Sequence, residues 1–118
     1  MIRLALLLCL ALGLAGAAVA ATRPPARVQV SADEFHFTLS RSAIKSGPAI
    51  VELANFGEDP HDLWLKRVGG TRIYKVPVVQ SGEHFDLTTK LLPGKFVLWC
   101  SLANHRALGM KATLVVKK

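Results

Sequence analysis

The stretch PGKFVLWCSLANHRALGM, residues 93–110, opens on a Pro-Gly turn and continues as an apolar, β-prone run from Lys95 to Trp99. Phe96, Leu98 and Cys100 share one phase of that run, so Cys100 should point inward where the strand ends. A short loop then carries His105 and Met110. Thiolate, imidazole and thioether fall five residues apart each time, C-x4-H-x4-M. Such soft sulfur and nitrogen donors suit copper, and a Cys with two His and a weak axial Met makes a complete set. The loop is one His short. His61, 39 residues before Cys100, is the candidate to complete it.

The rest of the chain is a series of short β-patterned runs broken by turn signals. Arg27 to Val30 alternates, as do Phe35, Phe37 and Leu39. Ser46-Gly47-Pro48 is a turn, with Pro48 placed to start the strand that runs to Asn55. The loop Asn55 to Pro60 (NFGEDP) leads into a strand from His61 to Val68, where His61 shares the inward phase of Leu63 and Leu65. Gly69-Gly70 turns into Arg72 to Val76, and Pro77 to Gly82 reads as irregular. Phe85, Leu87 and Thr89 alternate, and the last strand is expected over Met110 to Lys117. Seven or eight strands at this spacing predict an all-β fold, an antiparallel β-sandwich with Greek-key connections. His61 and Met110 at strand entries meet Cys100 at a strand exit only if their strands run antiparallel to the Cys100 strand.

The first 20 residues read as an export signal. Arg3 is followed by an apolar run to Leu14 and by the small-residue pattern Ala18-Val19-Ala20. The run is short for a membrane span, and Cys9 lacks the context of a lipid-modified cysteine. Removal of residues 1–20 leaves 98 of the 118 residues, enough for one domain with one core. Those 98 carry 14 Lys/Arg against 8 Asp/Glu, a formal charge of +6. The charge is read first as solubilising; acidic proteins or anionic surfaces are the partners it would attract. No basic run interleaves with aromatics, so no nucleic-acid partner is expected. Cys100 is the one cysteine left after processing, so no internal disulfide can form. A lone thiol in an oxidising compartment must be buried or metal-bound to survive.

With these residues in place, the chain resembles the cupredoxin family of blue copper proteins, which includes plastocyanin, azurin and rusticyanin. The resemblance rests on Asp33-Glu34-Phe35-His36-Phe37, on Asn55…Pro60-His61, on Leu92-Pro93-Gly94, and on the ordered set His61…Cys100-x4-His105-x4-Met110. The loop spacing is closer to rusticyanin than to plastocyanin. The resemblance implies a cupredoxin domain over 27–118, preceded by the signal peptide 1–20 and a leader 21–26. It implies one type 1 copper ion, cycling between Cu(I) and Cu(II), with His61, Cys100 and His105 as trigonal ligands and Met110 as the long axial one. Asp62 departs from the Asn, Ser or Thr common after the first His. In the family that position ties the two ligand loops together and supplies a hydrogen bond to the Cys sulfur. Ala103-Asn104 replaces a common Pro-Gly, and Asn104 is expected to supply a left-handed turn.

The expected function is one-electron carriage between redox partners in the periplasm or outside the cell. Partners are expected to dock near His105 and Leu108, and the protein is expected to be a monomer with no stable membrane insertion after processing. A copper-delivery protein of the same fold is the alternative, although delivery sites tend to be open and rich in Met or His. A metal-free structural sandwich would leave the four-residue set unexplained. Zinc is a poorer fit because a thioether is a poor zinc ligand. Enzymes of this fold set a His beside the Cys to reach a second copper, and here Trp99 and Ser101 flank Cys100, so no enzymatic activity is expected. His36, His84 and Arg106 read as surface residues, and Trp64 and Trp99 as packing residues out of phase with the ligands.

Overall fold

A computed structural model describes residues 13–18 and 23–118. The expected signal peptide, 1–20, lies largely outside the described residues. No helix among the described residues is long and apolar enough to cross a membrane.

Two sheets face each other. The four-stranded sheet is ordered β2 (His36–Leu39), β1 (Ala26–Asp33), β4 (Gly47–Asn55), β7 (His84–Leu91). The five-stranded sheet is ordered β3 (Ala43–Lys45), β9 (Lys111–Lys117), β8 (Gly94–Trp99), β5 (His61–Arg67), β6 (Ile73–Val79). A single helical turn, α1 (His105–Leu108), joins β8 to β9. The alternation read in the sequence becomes the core. Val28, Val30 and Ala32 of β1 and Ala49, Val51 and Leu53 of β4 meet Leu63, Leu65, Phe96, Leu98, Leu114 and Val116 from the facing sheet. Period-two patterning puts every second side chain into this layer and leaves the others outside.

The sandwich has nine strands, and its sheets are mixed. β1 pairs parallel with β4, and β3 pairs parallel with β9. After β2 the chain crosses to the other sheet for β3, then returns for β4, which therefore lies beside β1 in the same direction. β3 has three residues, too few to show alternation in a sequence. Pro77, expected in an irregular stretch, lies inside β6. The pairing steps from His61–Val79 to Leu63–Val76, so β6 carries one extra residue there. An edge strand with a bulge is where a residue lacking an N–H is tolerated.

The strands that matter for the site run as their phases require. β5 and β9 both pair antiparallel with β8. The entry of β5, the exit of β8 and the approach to β9 therefore share one pole of the sandwich.

Candidate metal centre

Three of the expected donors meet at that pole. One ligand atom each from His61, Cys100 and His105 lies within 4.8 Å of the other two, and all three residues are buried. Cys100 Sγ is 3.5 Å from His105 Nδ1. Donors held by one small metal ion at about 2.0–2.3 Å would stand at such separations. Met110 is fully buried beside them. Its carbonyl accepts the Cys100 N–H at 3.1 Å, and its own N–H donates to the His105 carbonyl at 3.1 Å. The five-residue spacing is thus a closed backbone loop in which Cys100, His105 and Met110 are tied together.

His61 shows most directly that the pocket suits a metal. Its Nε2 faces Glu34 Oε1 at 3.2 Å, which places the ring hydrogen on Nε2. Nδ1 is then a bare lone pair. It is fully buried with no hydrogen-bond partner. A buried acceptor without a partner is rare and costly, and a cation in the space it faces would satisfy it.

Glu34 is itself held. Oε1 accepts the Glu58 and Asp59 N–H groups at 2.8 and 2.7 Å. A Cβ at Gly57 would overlap the carboxylate and push it out of these contacts. These interactions, the Asp59 N–H foremost, hold the Glu34 carboxyl below the usual glutamate range, with burial opposing them. A lowered native value means that the stabilisation is present above the ordinary glutamate range and is lost as pH falls through the native value. Glu34→Gln should therefore lower stability at neutral pH and leave it equal to wild type in strong acid. Urea midpoints measured across the acid limb check this; parallel curves for the two proteins would refute it.

Asn55 organises the same loop. Its Nδ2 donates to the Asp59 and Val79 carbonyls at 2.8 and 2.9 Å, and its Oδ1 accepts the Gly57 N–H at 2.9 Å. Phe35, expected in a strand, sits in the turn between β1 and β2 and covers both imidazoles. Its ring centroid is 4.8 Å from that of His105 and 6.3 Å from that of His61.

The second ligand loop hangs from Asp62. Its Oδ1 accepts the Ser101 N–H at 2.7 Å, and its Oδ2 accepts the Ser101 hydroxyl. Asp62 thus ties β5 to the residue after Cys100, the role expected of that position. Burial pushes the Cys100 thiol above its usual range, while the Asp62 and Leu102 N–H groups on Sγ oppose the rise. The left-handed residue of the loop is Ala103, at φ 40°, and not Asn104. Asn104 instead sits at φ −98° as the N-cap of α1, and its carbonyl receives the Leu108 N–H at 3.1 Å. That position needs negative φ, so the reversal falls one residue earlier.

Auracyanin A, a blue copper protein from Chloroflexus aurantiacus, superposes with a TM-score of 0.65 at 15% identity, covering 80% of this chain and 100% of that one. The fold is the cupredoxin fold. A purple cupredoxin from Nitrosopumilus maritimus gives a TM-score of 0.56 at 18% identity, covering 78% of this chain and 99% of that one. A Cu-containing nitrite reductase from Thermus scotoductus gives 0.51 at 25% identity; 86% of this chain matches 25% of that longer protein. The sequence itself matches no protein-family model and no curated protein. Within the cupredoxin fold, the pole described above is where the buried donors of this chain converge.

Proposed function

We propose that this chain is a cupredoxin that holds one type 1 copper ion through His61 Nδ1, Cys100 Sγ, His105 Nδ1 and Met110, and carries single electrons between redox proteins. The unpartnered, fully buried Nδ1 of His61, within 4.8 Å of the Cys100 and His105 donors, is the observation that carries this reading. Copper bound there would supply a Cu(I)/Cu(II) couple. The chain's part is to keep the donors still in both states. Glu34 fixes the His61 ring, Asp62 fixes the segment after Cys100, and the Met110 backbone closes the loop. Cys100 gives up its proton when it takes a metal, so its raised thiol couples copper affinity to pH.

The buried donors support carriage over delivery, because a protein that hands copper on needs an open site. His105 is the donor nearest solvent, at 8% exposed, and Leu108 three residues on is 52% exposed. The electron leaves by this edge, and partners dock around Leu108. A catalytic role would need a second redox site. The other His-containing cluster among the described residues, Glu52–His84–Asp86, is largely exposed and lies on the four-stranded sheet. Residues 1–20 are an export signal in this reading, which puts the domain in the periplasm or outside the cell.

Adding Cu(II) to the purified domain and recording visible and EPR spectra tests the proposal. An intense sulfur-to-copper band that resists chelators is expected. Binding without that band, or rapid loss of copper to a chelator, would overturn it. Leu108→Asp should slow electron exchange with the physiological partner about tenfold, about 1.4 kcal/mol of lost docking, with the spectrum unchanged. Exchange at the wild-type rate would remove Leu108 from the docking edge.

A further inference from the structure

The outward face of the five-stranded sheet carries cations without acids. Pairing register places Lys75, Trp64, Trp99 and Lys111 in one row across β6, β5, β8 and β9. Lys66 and Lys95 share that face on β5 and β8, and Lys117 of β9 stands opposite Lys45 of β3. Of the eight acidic residues in the chain, only Asp62 has this phase, and it is buried against Ser101. At the centre, the Trp64 and Trp99 rings pack edge to face at 6.1 Å. Lys75 Nζ lies 4.2 Å from the Trp64 ring and Arg106 Cζ 4.7 Å from the Trp99 ring.

Solubility alone does not account for this distribution. Lysines that guard a sheet against edge pairing belong on its edge strands, yet here the central strands β5, β8 and β9 carry them as well. The outward side of the other sheet mixes the two signs instead, with Asp86 3.6 Å from Arg27 and Glu52 3.4 Å from the His84 ring. On the lysine face the like-charged pair Lys45–Lys117 stands directly opposite, an unfavourable arrangement that no acid relieves. Unpaired cations around a half-buried aromatic pair complement a surface of opposite sign. Arg106 follows His105 in sequence, so its place over Trp99 joins this face to the pole where the electron leaves.

We propose that the outward face of the five-stranded sheet, centred on Trp64 and Trp99, docks the acidic face of a protein redox partner. The inference rests on the electron-carrier reading and names the partner's chemistry. Docking on this face orients the partner, and the pole beside it passes the electron.

The test uses isotope-labelled full-length mature protein titrated with a poly-L-glutamate peptide, followed by amide and indole N–H shifts. Shifts should concentrate at Trp64, Trp99, Lys66 and Lys111, and affinity should fall about tenfold between 0.01 and 0.15 M salt as the screening length shortens. Lys66→Glu/Lys111→Glu should weaken binding at least tenfold. Lys90→Glu, on the four-stranded sheet, should leave it unchanged. Lys66→Ala/Lys111→Ala, which adds no new charge, should show an intermediate loss if the first variant folds poorly. Shifts spread over both sheets, or tighter binding to phosphatidylglycerol vesicles than to the peptide, would overturn the proposal. Peptide binding needs no copper, so a missing copper band and a missing peptide site are separate results.

Discussion

Cys100→Ser protein given Cu(II) should show no intense visible band and should bind the ion at least a hundredfold more weakly. Changes to the partners of a metal ligand commonly cost about 10–100-fold, and here the ligand itself is lost. The buried Cys100 Sγ can ionise because a metal replaces its proton, and the Asp62 and Leu102 N–H groups are already aimed at it. A serine hydroxyl holds its proton at neutral pH and offers a hard oxygen where soft sulfur is needed. The fold should survive, because the same two N–H groups and His105 Nδ1 can satisfy the new hydroxyl. A urea midpoint close to wild type beside a lost band separates loss of the ligand from loss of the structure. A variant that keeps the band would mean that the sulfur bound to copper is not Cys100.

The wild-type protein adds a pH dependence of known sign. Burial raises the Cys100 thiol, so at neutral pH the metal-free protein holds that proton and copper binding releases it. Apparent copper affinity should therefore rise with pH, about tenfold per pH unit for one released proton. Isothermal titration in buffers of different ionisation heat counts the proton.

The pole is legible in the sequence because strand phase is a strong constraint. Cys100 in step with Phe96 and Leu98, and His61 in step with Leu63 and Leu65, point inward for the reason the core residues do. Antiparallel pairing of β5 and β9 with β8 then brings their ends together. Parallel pairing of β1 with β4 was not legible, because alternation looks the same whichever way a neighbour runs. Glu34, Phe35 and Asn55 belong to the pattern that resembles the family, but the pattern assigns them no role. Their work depends on which loop crosses above which strand, and no local spacing records that. The contact between Glu34 and His61 spans 27 residues and two sheets. Asn104 was expected to reverse the chain because of its intrinsic tolerance for positive φ. The need for a carbonyl at the start of α1 outweighed that tolerance and moved the reversal to Ala103.

Asp62→Ala should destabilise the protein and alter the copper site together. The carboxylate is buried and accepts both the N–H and the hydroxyl of Ser101. Truncation leaves two donors without an acceptor in a part-buried loop, which costs about 1–3 kcal/mol. For a domain of this size each kcal/mol lowers the melting temperature by about 4–8 °C. The segment after Cys100 then loses its tie to β5, so the visible band should broaden as the Cys100 sulfur samples more positions. Asp62→Asn separates the tether from the charge. Its amide oxygen can accept the Ser101 N–H and its amide nitrogen can donate to the Ser101 oxygen, so stability should stay near wild type. The negative charge is gone, however, and a carboxylate beside the metal favours Cu(II) over Cu(I). The reduction potential of Asp62→Asn should therefore rise while its melting temperature holds. If the potential stays put and the melting temperature falls in both variants, Asp62 is a tether whose charge the copper does not feel.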